Sequence, residues 1–216
     1  PKQWVRELRP LVIHKDKVGV KTKLVTLQQV YQQTFWQGRD NPERIKYFIK
    51  DALDAWGITY VMLVGDYTQM PIRYIYNADN NSLWNEPRFI SELYYADIYD
   101  SNGNFSSWDT NNNGRYGEWF GATAADPNID LYPDVYVGRL ACRNTEEVRT
   151  MVHKIITYEN TAYNTSWYHR MVVCAGDTYP QSENPNWTGC EGEVNTQQAL
   201  DNMTGFTPMK LWTSDN

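Results

Sequence analysis

From Tyr60 the chain runs Tyr-Val-Met-Leu-Val, apolar without alternation, straight into Gly65-Asp66 and a polar loop closed by Pro71. Such a run predicts a strand buried on both faces, as in a parallel sheet covered by helices. The helix before it is written in GRDNPERIKYFIKDALDAWG, with Asn41 as cap, Pro42 in the first position and Gly57 as the stop. Ile45, Phe48, Ile49, Ala52, Leu53 and Trp56 recur at helical spacing and give that helix one apolar stripe. Upstream, KLVTL reads as a short strand around 24–27, between two helical patterns of which the first contains Pro10.

Downstream, DVYVGRLA (134–141) predicts a second strand and NTEEVRTMVHKIITYE a helix opened by a capping box of Asn144 and Glu147. RMVVCAGD (170–177) predicts a third buried strand, again ending in Gly-Asp. A helix over 193–202, stopped by Gly205, and a last strand TPMKLW follow. Alternation of helices and strands makes the class α/β. Between 72 and 133 the periodicity dissolves into aromatic, Asn- and Asp-rich sequence. A structureless stretch of that length is normally functional or organised by a metal. It also divides the chain into two expected subdomains, 1–133 and 134–216.

Composition narrows the partners. The 216 residues carry a net charge of −6, scattered along the chain, which argues against nucleic acid. No stretch approaches the roughly 20 apolar residues of a membrane-spanning helix. Nine Trp and sixteen Tyr, with much Asn, suit an extracellular or carbohydrate-rich setting as well as a tyrosine-rich core. Asn-x-Ser/Thr patterns at Asn80, Asn104, Asn164, Asn186 and Asn202 add weak support for export. Three cysteines, Cys142, Cys174 and Cys190, make neither a disulfide framework nor a zinc pattern.

The segment DTNNNGRYGEW (109–119) is the first half of a calcium loop: Asp109, Asn111 and Asn113 alternate, and Gly114 permits the bend. The carbonyl of Arg115 can complete the arc. Phe120 stands at the twelfth position, where a bidentate glutamate is normal, so Glu118 is the expected substitute, and Asp97 or Asp100 could add a charge. With so few formal charges the ion would be weakly held and structural. An Asn-Gly surface turn without metal is the alternative.

A complete catalytic constellation is not visible. No nucleotide-binding glycine pattern, nucleophile elbow or zinc-peptidase helix occurs. His14 and His153 read as helix-surface residues, and Cys174 as a small hydrophobe inside a strand. Cys190 lies just before a helix, where the dipole could lower its pKa. One reading therefore makes Cys190 the nucleophile, with His169 or His153 as base. Another is a non-catalytic, calcium-stabilised surface module in which the dense aromatics of 84–120 bind glycan or protein.

Taken together, RDNPERIKYFIKDALDAWGITYVMLVGDYTQMP, ELYYADIYD, WDTNNNGRYGE, DLYPDVYVGRLACRNTEEV and KIITYEN resemble, in order and spacing, the catalytic domain of gingipain-type cysteine peptidases. The resemblance covers nearly the whole chain. It implies a caspase-like three-layer α/β sandwich with a mainly parallel sheet and two adjacent subdomains. It also implies a secreted or surface endopeptidase, acting on protein or peptide and commonly stabilised by calcium. That family places its histidine in Gly-His-Gly and its nucleophile in Ala-Cys-x-Asn-Gly; neither pattern occurs in these residues, nor does the family's opening strand before PKQW. The chain is thus expected to be a front portion of the catalytic domain, inactive alone. The resemblance brings Asp177 near the acid that orients the histidine, and Glu193 near the acid of an arginine specificity pocket, with Glu191 competing for that place. A turn-capping aspartate and a solvated first-turn glutamate are the plainer readings of the two.

Overall fold

The computed structural model describes residues 1–77, 87–120, 123–179, 182–183, 185–186 and 189–215, with the side chains of 120, 123 and 215 left aside. In chain order the elements are α1 (Val5–Lys17), α2 (Leu27–Gln33), α3 (Asn41–Trp56), β1 (Tyr60–Val64), β2 (Tyr74–Asn77), β3 (Arg88–Ile90) and α4 (Leu93–Ala96). They continue with β4 (Tyr116–Phe120), β5 (Thr123–Ala124), β6 (Tyr136–Leu140), α5 (Thr145–Thr161), β7 (Arg170–Ala175), α6 (Glu191–Asn202) and β8 (Thr207–Trp212). The class is α/β, and the longest ladders, β1 with β6 and β7 with β8, are parallel. The sequon at Asn80 and residues 84–86 of the aromatic segment lie outside the described residues.

Contacts group the chain into two compact units, Pro1–Ile156 and Thr157–Asn216. Residues 134–156, grouped with the second subdomain from sequence, pack in the first unit because β6 pairs with β1 from Tyr60↔Tyr136 to Val64↔Leu140. No helix among the described residues is long and apolar enough to cross a membrane.

Local chemistry explains the helix ends. Asp40, one residue before the expected cap, holds α3 by accepting the Glu43 N–H at 2.9 Å, and Gly57 closes it in the left-handed region at φ 61°. At α5 the Glu147 N–H donates to Asn144 Oδ1 at 2.9 Å, while the Glu147 carboxylate reaches back to the Arg143 N–H at 2.8 Å. The strand expected around 24–27 is replaced by a helix start. Thr26 accepts from the Gln29 N–H at 3.3 Å, and Gln29 Oε1 accepts from the Thr26 N–H at 2.9 Å, a complete capping box.

Burial corrects the pattern reading in several places. Val61 and Leu63 of β1 pack with Ile45 and Ile49 of α3, but Tyr60 and Met62 on the opposite face are 68% and 47% exposed. A single helical stripe covers one face of the pair, and Tyr60 stacks on Tyr136 at 5.2 Å on the other. In β7, Val173 is buried while Val172 and Cys174 are exposed, so Cys174 is not the interior hydrophobe expected. His14 is buried in α1 rather than on its surface. A second cluster joins Trp4, Leu8 and Leu11 to Val148 and Val152, seating α1 on α5.

The described residues between 72 and 133 are not structureless. They form a sheet in the order β3-β2-β4-β5, and Tyr94, Tyr95, Ile98, Trp108 and Tyr116 enter the core of the first unit. A buried lysine sits among them. Lys46 points from α3 into this segment, is 0% exposed, and donates to the Ser106 carbonyl. The Tyr94 ring lies 4.4 Å from its Nζ and the Phe105 ring 5.5 Å. Asp97, also fully buried, accepts from Trp108 Nε1 at 2.8 Å.

Burial pushes the Lys46 ammonium down to about 7, against the pull of Asp97, and pushes the Asp97 carboxyl up to about 6. Between pH 7 and 10 the unfolded chain therefore holds a proton on lysine that the folded chain has released, so stability rises with pH across that window. The slope is at most about 1.4 kcal/mol per pH unit. Urea midpoints at pH 7 and pH 9 should show this rise in the parent chain and lose it in Lys46→Met; an equal rise in both would assign it elsewhere.

Candidate functional sites at the sheet edges and in the 109–118 loop

In open α/β sheets, ligands gather beyond the carboxyl ends of the strands. In the second unit, β7 and β8 run parallel in register from Arg170↔Thr207 to Ala175↔Trp212 and end together. Immediately beyond, α6 begins against the strand end. A Cβ on Gly192 would lie 2.6 Å from the Gly176 carbonyl oxygen, so only glycine permits this approach. The next residue, Glu193, turns into the edge and is 8% exposed. Its Oε1 accepts from the Ser214 N–H at 2.9 Å and the Thr213 hydroxyl at 3.3 Å, and its Oε2 accepts from Ser214 Oγ at 2.5 Å. The Ser214 hydroxyl, then the Ser214 N–H, hold this carboxyl below the usual carboxylate range. Glu193 is therefore an anion fixed by neutral donors.

Its neighbours differ. Glu191 accepts the Thr178 N–H at 2.7 Å and pins the loop after β7. Asp177 is exposed and accepts the Tyr179 N–H at 3.1 Å, which is a turn-capping contact with the carboxylate still open to solvent. In the first unit, Asp66 ends β1 in the same manner, accepting the Thr68 N–H at 2.9 Å and the Thr68 hydroxyl at 2.6 Å. That loop is clasped by Arg139 of β6, which donates to the carbonyls of Gly65, Met70 and Pro71 and pairs with Glu92 at 2.7 Å.

The surroundings of Cys190 disfavour a thiolate. Its thiol is pushed up by desolvation and then by Glu193, and its side-chain partners are Thr213 and Glu193. A reactive cysteine needs the opposite, an electropositive setting that favours thiolate. His169 is exposed, its ring against Tyr168 and Phe206 at 5.3 and 5.9 Å, and His153 is exposed on α5. Burial raises the Cys142 thiol as well.

In the 109–118 loop the expected residues do converge. Asp109 Oδ1 accepts the Asn113 N–H at 3.0 Å, and Asp109 Oδ2 accepts the Gly114 N–H at 3.1 Å. Asn111 Oδ1 accepts the same Asn113 N–H at 3.0 Å, Asn113 Oδ1 accepts the Arg115 N–H at 2.8 Å, and Asn113 Nδ2 donates to Glu118 at 2.6 Å. Gly114 bends at φ 80° and Asn112 at φ 58°. Asp97 and Asp100 stay outside: the first serves Trp108, the second accepts the N–H groups of Asn102 and Asn104 at 2.9 and 2.8 Å.

Two residues invisible to the motif hold this loop. Asp126 accepts from Thr110 N–H at 2.8 Å and Glu118 N–H at 2.9 Å, closing both ends. Arg39 donates to Asp109 at 2.6 Å and to Asn112 at 3.0 Å. Among the described residues no three His, Cys, Asp or Glu side chains gather as a metal cluster. The loop's own donor set is two carboxylates with amide and carbonyl oxygens, all hard ligands of the kind calcium takes.

The whole chain, residues 1–216, matches the family model described as peptidase family C25. It is 21% identical over 188 residues to gingipain R2 of Porphyromonas gingivalis (strain ATCC BAA-308 / W83), an alignment covering 85% of this chain and 19% of that protein. Its fold matches a chain in the solved complex of Porphyromonas gingivalis RgpB pro- and mature domains with a TM-score of 0.59 and 18% identity, covering 98% of this chain and 40% of that one. The chain therefore spans well under half the length of either protein.

The raised Cys190 thiol has a direct readout. At pH 7.5 iodoacetamide should label Cys190, followed by peptide mass spectrometry, more slowly than it labels the same cysteine in the denatured chain. Glu193→Gln, which removes the adjacent anion, should speed native labelling severalfold. Native labelling faster than denatured would restore the nucleophile reading.

Proposed function

The chain belongs to peptidase family C25, and from that membership we propose that it forms part of the catalytic domain of a secreted or surface cysteine endopeptidase. The thiolate and the imidazole come, in this reading, from sequence outside these 216 residues, and the complete domain is a caspase-like sandwich. The chain contributes the carboxyl edge of β7 and β8. Peptide-bond hydrolysis then proceeds by thiolate attack on the carbonyl, with histidine as base and then acid, and water releases the acyl-enzyme.

The observation that carries this is Glu193. A carboxylate turned into a strand edge, fixed by Ser214 and Thr213 and kept ionised, is suited to receive a basic substrate side chain through charge-assisted hydrogen bonds. Asp177 acts as a positioning residue: its exposed carboxylate at the same edge orients the imidazole and favours its cationic form. The asparagines of four of the five sequons, Asn104, Asn164, Asn186 and Asn202, are exposed, which supports an extracellular setting.

Calcium fits the 109–118 loop by donor chemistry. Asp109, Asn111, Asn113, the Arg115 carbonyl and Glu118 would hold it, and its charge would rigidify the loop. In the loop as it stands Arg39 and Arg115 neutralise the two carboxylates, at 2.6 and 3.0 Å, so the ion competes with guanidinium groups. Affinity should accordingly be weak, on the order of 10⁻⁴–10⁻³ M.

Kinetics of the complete enzyme test the site. Glu193→Gln should lower kcat/KM for an arginyl substrate by about ten- to a hundredfold, the loss of one charged hydrogen-bonding partner, and spare uncharged substrates. Asp177→Asn should lower kcat by about a hundredfold or more with the urea midpoint unchanged. Unaltered selectivity in the first variant, or unaltered turnover in the second, would remove that residue from the mechanism.

For the loop, calcium at about tenfold its dissociation constant stabilises by about 1.4 kcal/mol, a Tm rise of roughly 3–5 °C for a domain this size. Chelator should abolish the rise, and Asp109→Asn should not show it. Identical melting of the parent chain with calcium and with chelator contradicts the assignment.

A further inference from the structure

Beyond the peptidase reading, and independent of it, the first unit contains a cavity of about 530 Å³ between the start of α3, β2 and the turn at 109–114. That volume lies within the range of small-ligand sites, about 300–1,000 Å³. Its apolar wall is built from Tyr74, Tyr76 and Tyr116 with Pro42 and Ile72. Its charged groups are Arg39, Arg73, Asp40 and Asp109. We infer that this cavity is a binding site for a neutral saccharide.

The charge pattern selects the ligand class. Arg73 pairs with Asp40 through two hydrogen bonds of 2.8 and 2.7 Å, and Arg39 pairs with Asp109 at 2.6 Å and with Glu43 at 2.7 Å. Each acid facing the cavity already has its guanidinium, so neither an anion nor a cation finds an uncompensated partner there. Hydrogen-bonding capacity remains nonetheless. Arg73 is 6% exposed, yet its Nε has no hydrogen-bond partner among the described residues. Arg39 spends its Nε hydrogen and one Nη2 hydrogen on Glu43 and its Nη1 hydrogens on Asp109 and Asn112, so one Nη2 hydrogen is left. Asn112 Oδ1 is taken by Arg39 at 3.0 Å, which leaves its amide hydrogens to donate.

These donors sit beside tyrosine rings held in place by stacked cations. The Arg73 guanidinium lies 3.4 Å from the Tyr116 ring centroid, and that of Arg88 lies 4.6 Å from Tyr74, itself 39% exposed. Planar N–H donors next to amphipathic rings match the two sides of a pyranose: hydroxyl oxygens that accept and a C–H face that packs on an aromatic surface. Free sugars and glycan termini share that chemistry.

The test uses the chain itself, with a panel of neutral hexoses and neutral and acidic oligosaccharides. Saturation-transfer NMR should show contact with at least one neutral sugar, and titration should give a Kd weakened at least tenfold in Tyr74→Ala. Asn112→Gly, which keeps the left-handed backbone, should weaken the same sugar with the Tm unchanged. Binding to oligosaccharides but not monosaccharides would still support the site and identify glycan termini as its source. Contact with no neutral sugar, binding confined to acidic glycans, or affinity unmoved by both variants would overturn the inference.

Discussion

The first unit is organised around a lysine amine taken out of water. Lys46 occupies the apolar face of α3, between Ile45 and Ile49, where hydrophobic packing alone would have placed a leucine. Burying a charge costs several kcal/mol. The structure offsets that with the Ser106 carbonyl, the field of Asp97 and the faces of Tyr94, Phe105 and Trp108, each ring contact contributing on the order of 0.5–2 kcal/mol. The same device recurs twice nearby. Arg73 lies on Tyr116 and Tyr94 with Asp40 as partner, and Arg39 lies over Tyr116 with Glu43 and Asp109. A buried lysine, two arginines and their acids thus tie an aromatic-rich segment to one helix.

That tie places the chemistry. Asp40 caps α3 and holds Arg73; Arg39, adjacent to it, holds Asp109 and Asn112 of the calcium-like loop. Loop and cavity therefore share one scaffold, because Arg39 both pairs with Asp109 and lines the cavity. The second unit follows a simpler logic. Close approach of Gly192 to Gly176 sets α6 on the end of β7, and this alone brings Glu193 over the Thr213-Ser214 backbone. Family membership places the chain in a cysteine peptidase domain, while what its own residues do there depends on local geometry such as this edge.

Much of the framework was legible in the sequence. The stripe of α3, the Asn144 cap of α5, the strands at 60–64, 136–140, 170–175 and 207–212, and the helix ending at Asn202 all follow from periodicity and punctuation. Burial was less so, because an unbroken apolar run such as Tyr-Val-Met-Leu-Val does not say how many faces are covered. The sheet at 74–124 escaped because its strands are short and its aromatics alternate with Asn and Gly, which reads as loop. The Thr26–Gln29 box lies beside an apolar neighbourhood whose pattern suggests a strand. In the calcium-like loop the alternating Asp and Asn residues were visible, whereas Arg39 joins from 70 residues away and leaves no local signal. Lys46 and Glu43 show why: a charged residue on a helix is read as solvated until its partners, distant in sequence, are placed around it.

In the proposed enzyme the β7–β8 edge faces the substrate, and Glu193 is the acid that receives its basic side chain. The most direct measurement is a crystal structure of the complete enzyme bound covalently to a peptidyl-arginine inhibitor. The arginine guanidinium should lie within hydrogen-bond distance of the Glu193 carboxylate, with Ser214 still donating to it. A guanidinium paired with another acid, while Glu193 bonds only Ser214 and Thr213, would contradict it and leave Glu193 as a purely structural brace of α6.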